Sequence, residues 1–111
     1  MPVDKQTLLL TLKKEPFDVM ITGEKPEEFR KPSKWIKSRL FHKDGSKKVY
    51  DHVKFVNGYG SDKPQFCADF KGFEISQVNQ TIKYSNGLVV KVEKGDIKIN
   101  LGSVFYRSPN L

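Results

Sequence analysis

The dipeptide Asn86-Gly87 constrains the fold most strongly, because it stands between two short strand-like segments. An Asn-Gly pair in this position is typical of a tight β-hairpin turn, since both residues tolerate a positive φ angle. Residues 81–85 and 88–92 therefore predict two antiparallel strands. The sequence predicts no helix anywhere between residues 81 and 106.

Other strand-like segments surround this hairpin and are separated by turn signals. They cover residues 49–56, 65–74, 97–101 and 104–106, with breaks at residues 57–60 and at Gly102-Ser103. Alternating side chains and glycine-rich breaks are typical of strands joined by tight turns. The second half of the chain is therefore expected to form a sheet of five or six antiparallel strands.

The first half of the chain predicts one strand and two short helices. The apolar segment 7–12 is typical of a buried strand, and the helix after it has Pro16 in its first turn and Gly23 at its end. Residues 26–30 read as extended, and Ser33 is the expected N-cap of a second helix. The predicted class is α+β, as a small antiparallel β-barrel that closes on itself.

Composition and length exclude several classes of protein. The 111 residues suffice for one domain with one core, and no apolar run approaches the roughly 18 residues of a membrane helix. Cys67 is the sole cysteine, so we expect neither a disulfide nor a cysteine-built zinc site. Its thiol is expected to be buried and inert. His42 and His52 lack partners at metal-ligand spacing, so no metal and no cofactor are predicted. The start of the chain does not resemble an export signal, so the expected compartment is the cytoplasm.

The positive charge is concentrated in one segment. The formal net charge is +7, and residues 31–48, here called the basic segment, carry +6 from seven basic residues against Asp44. A local block of this kind favours a phosphate-bearing partner, and the alternative is a solvated lysine-rich surface. The expected contact residues within it are Lys34, Lys37 and Arg39.

Two aromatic residues allow two interpretations each. Tyr59 lies between Gly58 and Gly60, where its ring could stack on an unpaired base or pack back onto the barrel. Trp35 follows Lys34 in the basic segment and is a candidate ligand contact. A lone tryptophan on a short helix is, however, more often a core anchor.

Residues 23–30 carry the pattern with the most specific chemistry, Gly-Glu-Lys-Pro-Glu-Glu-Phe-Arg. Lys25 follows the helix end, and Glu28 and Arg30 share one face of an extended segment because side chains alternate along a strand. Lys25 and Arg30 could hold a phosphate or a base edge, with Glu28 orienting both cations. The alternative is an exposed row of ion pairs, which would stabilise the fold little.

The same residues resemble the GxKxxExR signature of ASCH domains, which are small β-barrels similar to PUA domains. Gly23, Lys25, Glu28 and Arg30 occupy the four fixed positions, and the order of elements agrees over essentially the whole chain. The chain thus resembles a single stand-alone ASCH domain over residues 1–111. The resemblance implies a PUA-like barrel whose cleft binds RNA or a nucleotide. We expect no membrane partner, and the domain is taken to be a monomer.

The resemblance also leaves an enzymatic alternative. Some stand-alone ASCH proteins hydrolyse the amide of N4-acetylcytidine with a lysine, a threonine and a glutamate, and others are described as ribonucleases. Lys25 matches the catalytic lysine, whereas Glu28 stands where the threonine would be, and Glu74 is the nearest counterpart of the late glutamate. Lys25 and Glu28 are therefore the candidate catalytic residues, with little or no amidohydrolase activity expected. A third alternative is a protein-interaction module whose basic segment docks an acidic partner.

The cluster is expected to be partly exposed. On that basis Lys25→Ala and Arg30→Ala should weaken ligand binding to a comparable degree, because each loses a charge-assisted hydrogen bond. The stability of the fold should change little, because a partly exposed ion pair contributes only about 0–1 kcal/mol.

Overall fold

Nine elements make up the part of the chain that the computed structural model describes, residues 6–58 and 62–108. In chain order they are β1 (Thr7–Leu12), α1 (Lys14–Met20), β2 (Glu27–Arg30), α2 (Lys34–Leu40), β3 (His52–Asn57), β4 (Gln65–Ile75), β5 (Gln80–Lys83), β6 (Val89–Val92) and β7 (Ile97–Ser108). The predicted α+β class with two short helices is confirmed.

Five of the strands form a curled sheet in the order β1-β3-β4-β7-β2, and β5 and β6 form a separate pair. Strands β1 and β3 are parallel, which corrects the prediction of an all-antiparallel sheet. The long connection between them, which contains α1, β2 and α2, is the kind of crossover that parallel strands require. The other described pairings are antiparallel.

The sheet is a half-barrel and not the closed barrel that the sequence predicts. Strands β1 and β2 lie at its two ends and do not pair with each other. The Arg30 side chain bridges the gap between these two strands, where no backbone hydrogen bonds join them. Its guanidinium Nη2 donates to the Thr11 carbonyl at 2.7 Å. The gap between these two edge strands is where the predicted cluster lies.

The core lies on the inner face of the sheet, where both helices pack. Burial alternates along β1 and Leu9 is 55% exposed, so the strand predicted to be buried has only one buried face. The Phe17 ring of α1 lies 5.1 Å from the Phe66 ring of β4, and Ile36 and Leu40 of α2 enter the same cluster. The outer face of the sheet therefore carries neither helix.

Strand β7 is continuous, which corrects the break predicted at Gly102-Ser103. The pairing of β4 with β7 shifts register three times, so β7 bends without leaving the sheet. A Cβ added at Gly102 would lie 2.9 Å from the Cβ of Asp69. Only glycine fits there, because the backbone of β7 lies close to the Asp69 side chain of β4. In the sequence the same glycine predicts a turn.

The hairpin predicted around Asn86-Gly87 is confirmed, with no helix among residues 81–106. Its turn differs from the expected two-residue type. Gly87 has a φ of 88°, but no described residue other than glycine has a positive φ, so Asn86 does not adopt the left-handed conformation. The Gly87 N–H donates to the Tyr84 carbonyl, and the loop spans residues 84–88. The two strands are shorter than predicted for this reason.

The helix boundary signals are also confirmed. The Ser33 hydroxyl caps α2 by accepting a hydrogen bond from the Ile36 N–H at 3.2 Å. Gly23 follows α1 with a φ of 87°, a conformation that favours glycine. These two residues fix the start and the end of the segment that contains β2.

Candidate functional site

A cleft of about 1010 Å³ opens at the gap between β1 and β2. Its walls come from both edge strands, from the end of β3 and from the apolar side of the β5–β6 hairpin. Among its lining residues are the three members of the predicted cluster, Lys25, Glu28 and Arg30. The structure thus brings these three side chains together at one cleft.

Glu28 lies between the two cations of the cluster. Its Oε1 atom is 3.4 Å from the Lys25 Nζ, and its Oε2 atom accepts a hydrogen bond from the Arg30 Nε at 2.8 Å. Because Arg30 also donates to Thr11, its guanidinium is held at two points. The expected arrangement, in which a carboxylate orients two cations, is present.

The cluster is more buried than the sequence predicts. The side chain of Lys25 is 1% exposed and that of Glu28 is 8% exposed, whereas Arg30 is 25% exposed. The Lys25 ammonium donates to the Glu27 carbonyl and lies between the rings of Phe29 and Tyr84. Burial lowers the pKa of Lys25, and the negative charge of Glu28 opposes this shift. The expectation of a partly exposed ion pair is therefore wrong for Lys25 and Glu28.

The cations that face the cleft differ from the one that is buried. The Nη1 atom of Arg30 forms no hydrogen bond to a described residue, and Lys13, Lys14 and Lys31 line the same cleft. Lys14 pairs with Asp18 and Lys31 pairs with Asp96, whereas Lys13 is in no ion pair among the described residues. A ligand entering the cleft would therefore meet Arg30 and these lysines first, while Lys25 holds Glu28 from inside.

Tyr84 is a residue of the site that the sequence does not reveal. Its hydroxyl donates to the Glu27 carboxylate at 2.6 Å. Next to it, Ser85 donates to the Glu24 carboxylate through its N–H and its hydroxyl, and these bonds lower the pKa of Glu24. The hairpin is thereby fixed on the motif segment. The Asn86-Gly87 turn signals the hairpin but not where it packs.

The basic segment contributes only Lys31 to this cleft. A separate concave surface of about 560 Å³ is lined by Lys34 and Lys37 of α2, His42, and Lys43 and Lys48 of the following loop. The Arg39 guanidinium lies 5.1 Å from the Trp35 ring centroid, and Trp35 is half-exposed. The core-anchor interpretation of Trp35 is thus wrong, because Ile36 and Leu40 are the residues by which α2 enters the core. Tyr59 lies outside the described residues.

The residues considered for other chemistry lie away from the cluster. Glu74 is exposed on β4, lies 3.8 Å from Lys98 and does not line the cleft. Cys67 is half-buried and not fully buried, because it lies on the face of β4 that carries no helix, and burial raises its pKa. Within residues 6–58 and 62–108 no group of three or more potential ligands could hold a metal ion. No helix in the same residues is long and apolar enough to span a bilayer.

Comparisons of the chain with models of known protein families, with curated proteins and with solved structures found no match.

Proposed function

We propose that the chain is an ASCH-like, PUA-like domain that binds RNA or a nucleotide in the cleft between β1 and β2. The observation that carries this proposal is the Lys25–Glu28–Arg30 cluster on the cleft wall, in which Lys25 and Glu28 are buried. Removing a lysine and a glutamate from water costs several kcal/mol per ion. A buried pair of this kind therefore adds little net stability to the fold. A role in the cleft explains its presence better.

Arg30 is the member of the cluster suited to contact the ligand. Glu28 and the Thr11 carbonyl fix its guanidinium, so little conformational entropy is lost when its remaining N–H groups bind. Those N–H groups match the oxygens of a phosphate or the acceptor edge of a base. Lys13, Lys14 and Lys31 add positive potential around the same opening.

The proposal predicts that Arg30→Ala weakens binding of a labelled single-stranded RNA dodecamer about tenfold or more, measured by fluorescence anisotropy. This size follows from the roughly 1.5–3 kcal/mol of a hydrogen bond to a charged group. Arg107→Ala is the matched control, because Arg107 is an exposed arginine that does not line the cleft. Equal affinities of the Arg30 and Arg107 variants would contradict the proposal.

The hydrolase alternative has less support. The lowered pKa of Lys25 is a property of lysine nucleophiles, but the Lys25 side chain is 1% exposed. Among the described residues, Glu28 is the one side-chain carboxylate within 4 Å of the Lys25 Nζ. Catalysis by Lys25 would need a second carboxylate or a hydroxyl within hydrogen-bond distance of its ammonium. No such group is found among the described residues, so binding is the function that we favour.

A further inference from the structure

A row of side chains crosses the outer face of the sheet, which carries neither helix. Leu9 of β1 pairs with Lys54 of β3, Lys54 pairs with Cys67 of β4, and Cys67 pairs with Tyr106 of β7. Residues paired in this way point to the same face of a sheet, so the four side chains form one continuous row. Three steps between neighbouring strands give the row a length of about 14 Å.

Aromatic residues add to this row from β7, where one ring reaches back toward β3, and from beyond β1. The register passes from Cys67–Tyr106 to Ala68–Val104, so Phe105 is an extra residue of β7, and its ring lies 4.7 Å from the His52 ring. A bulge of this kind re-aims a side chain, here to the outer face. At the other end, Leu9 and Trp35 line one depression. We call Trp35, Leu9, Lys54, Cys67, Phe105 and Tyr106 the outer strip.

The large apolar side chains of the outer strip are unusually accessible. Trp35, Leu9, Phe105 and Tyr106 are between 47% and 55% exposed. Contiguous exposed apolar groups on a folded chain indicate an interaction site more often than chance exposure. The Trp35 ring already contacts Arg39 and the Phe105 ring contacts His52, so each of these two side chains offers its remaining exposed part to a stacking partner.

The charges on and beside the outer strip select the partner. Lys54 lies within the row, Arg39 lines the depression beside Leu9, and Lys71 lies on the same face next to Gly102. None of these three cations forms an ion pair with a described carboxylate within 4 Å, and Asp69 is the acidic residue nearby on this face. The surface is therefore aromatic and net positive, which suits a polyanion that carries planar rings.

We propose that the outer strip is a second binding surface, for single-stranded nucleic acid. Unpaired bases stack on Trp35, Phe105 and Tyr106, and the phosphates between them lie near Lys54 and Arg39. Stacking on protein aromatics tolerates any base and requires an unpaired strand, as on other open sheet faces. None of the strip residues lines the cleft, so this surface does not depend on the ligand of the cleft.

Cys67 allows a test on the unmodified protein, because it is the sole cysteine of the chain and lies in the middle of the strip. The rate of its reaction with 4,4′-dithiodipyridine is measured with and without a saturating uridine dodecamer. We expect the RNA to slow the reaction at least fivefold, and the same dodecamer in duplex form to protect much less. Arg30→Ala should retain the protection at saturating RNA, which separates the strip from the cleft. An unchanged reaction rate with RNA bound would overturn the proposal.

Substitutions separate stacking from simple apolar contact. The double variant Phe105→Leu, Tyr106→Leu keeps apolar area but loses the rings. We therefore expect the dodecamer concentration that gives half-maximal protection of Cys67 to rise at least tenfold. The control is Val78→Ala, Val89→Ala, which changes exposed apolar residues outside the strip. Equal half-protection concentrations in the two double variants would overturn the proposal. A wild-type dimer that dissociates in Leu9→Lys, measured by sedimentation, would do the same and assign the face to contact between copies.

Discussion

Lys25 places an ammonium group where 1% of its side chain is exposed, and Glu28 is the carboxylate that compensates it. Burial lowers the pKa of Lys25, so the protonated lysine is less stable here than in water. Loss of Glu28 would leave the Lys25 ammonium buried without a carboxylate, whereas loss of Lys25 would leave Glu28 with Arg30 as its remaining cation. Arg30 is more exposed and still contacts solvent. Its bond to Glu28 orients its guanidinium.

At this scale we predict that Lys25→Ala lowers the free energy of unfolding by about 3 kcal/mol, because it breaks a buried ion pair. The loss should stay at the low end for a buried pair, because Glu28 keeps its bond to Arg30. The measurement is urea denaturation at pH 7. The double variant Lys25→Met, Glu28→Gln should recover part of the loss, because it removes both charges.

The matched control for this prediction is Lys14→Ala, which removes a lysine from an exposed ion pair with Asp18. It should change the unfolding free energy far less than Lys25→Ala does. Similar losses of unfolding free energy in the two alanine variants would mean that the burial of Lys25 does not affect the stability of the fold.

The sequence predicts which residues meet at the site but not how deeply they lie. Glu28 and Arg30 are two positions apart on one strand, and strand alternation alone brings their side chains together. The burial of Lys25 depends on Tyr84, which bonds to the motif segment across 57 positions of sequence. No local pattern carries that information, because it arises only when the hairpin packs on β2.

Among the elements, the β5–β6 hairpin has an unusual place, because its strands pair only with each other in the part of the chain that the structure describes. Side-chain bonds from its loop hold it on the motif segment, and two of them end on the Glu24 carboxylate. A carboxylate whose pKa is lowered by such bonds contributes stability above its unfolded pKa and loses it as the pH falls through its folded pKa. The attachment of the hairpin should therefore weaken below about pH 4.5, the ordinary pKa of Glu24.

We predict that Ser85→Ala raises the pKa of Glu24 part of the way toward 4.5, because the hydroxyl bond is lost and the backbone bond remains. A carboxyl-carbon NMR titration measures this pKa directly. Ser46→Ala serves as the control, since Ser46 bonds to Asp44 and not to Glu24. A Glu24 pKa that stays equally low in Ser85→Ala would show that the bond to the hydroxyl does not form in solution.

The elements that the sequence predicts correctly are those with local signals. Asn86-Gly87 locates a hairpin and Ser33 locates a helix start, because turn and cap preferences act within a few residues. The glycine at position 102 misleads for the opposite reason. It reads as a turn, but its neighbour in space is Asp69 of another strand. The parallel pairing of β1 with β3 likewise depends on the whole crossover.

For the whole molecule, the positive charge is distributed over separate surfaces. The cleft carries Lys13, Lys14 and Lys31, and the concave surface beside α2 carries several lysines of the basic segment. The net charge of +7 therefore presents several places for phosphates along one RNA. The salt dependence of binding reports how many of them are used.

We predict that the triple variant Lys34→Gln, Lys37→Gln, Lys43→Gln flattens the plot of log K against log salt for single-stranded RNA. The slope should fall by about 2 if all three lysines neutralise phosphates, at roughly 0.7 per contact. The control with the same charge change is Lys83→Gln, Lys91→Gln, Lys94→Gln, whose lysines lie on and after the hairpin. A slope that is the same in both triple variants would assign the basic segment to solubility.

The order of strands in the sheet also sets the order in which the cleft can be completed. Strand β2 carries the motif at residues 27–30, yet its one partner among the described strands is β7, and Glu27 pairs with Asn100. A ribosome that adds about 5–20 residues per second needs roughly 4–15 s to reach that partner. During this interval the motif strand has no neighbour, and one wall of the cleft is missing. Ligand binding by the growing chain would therefore report that its last strand has joined the sheet.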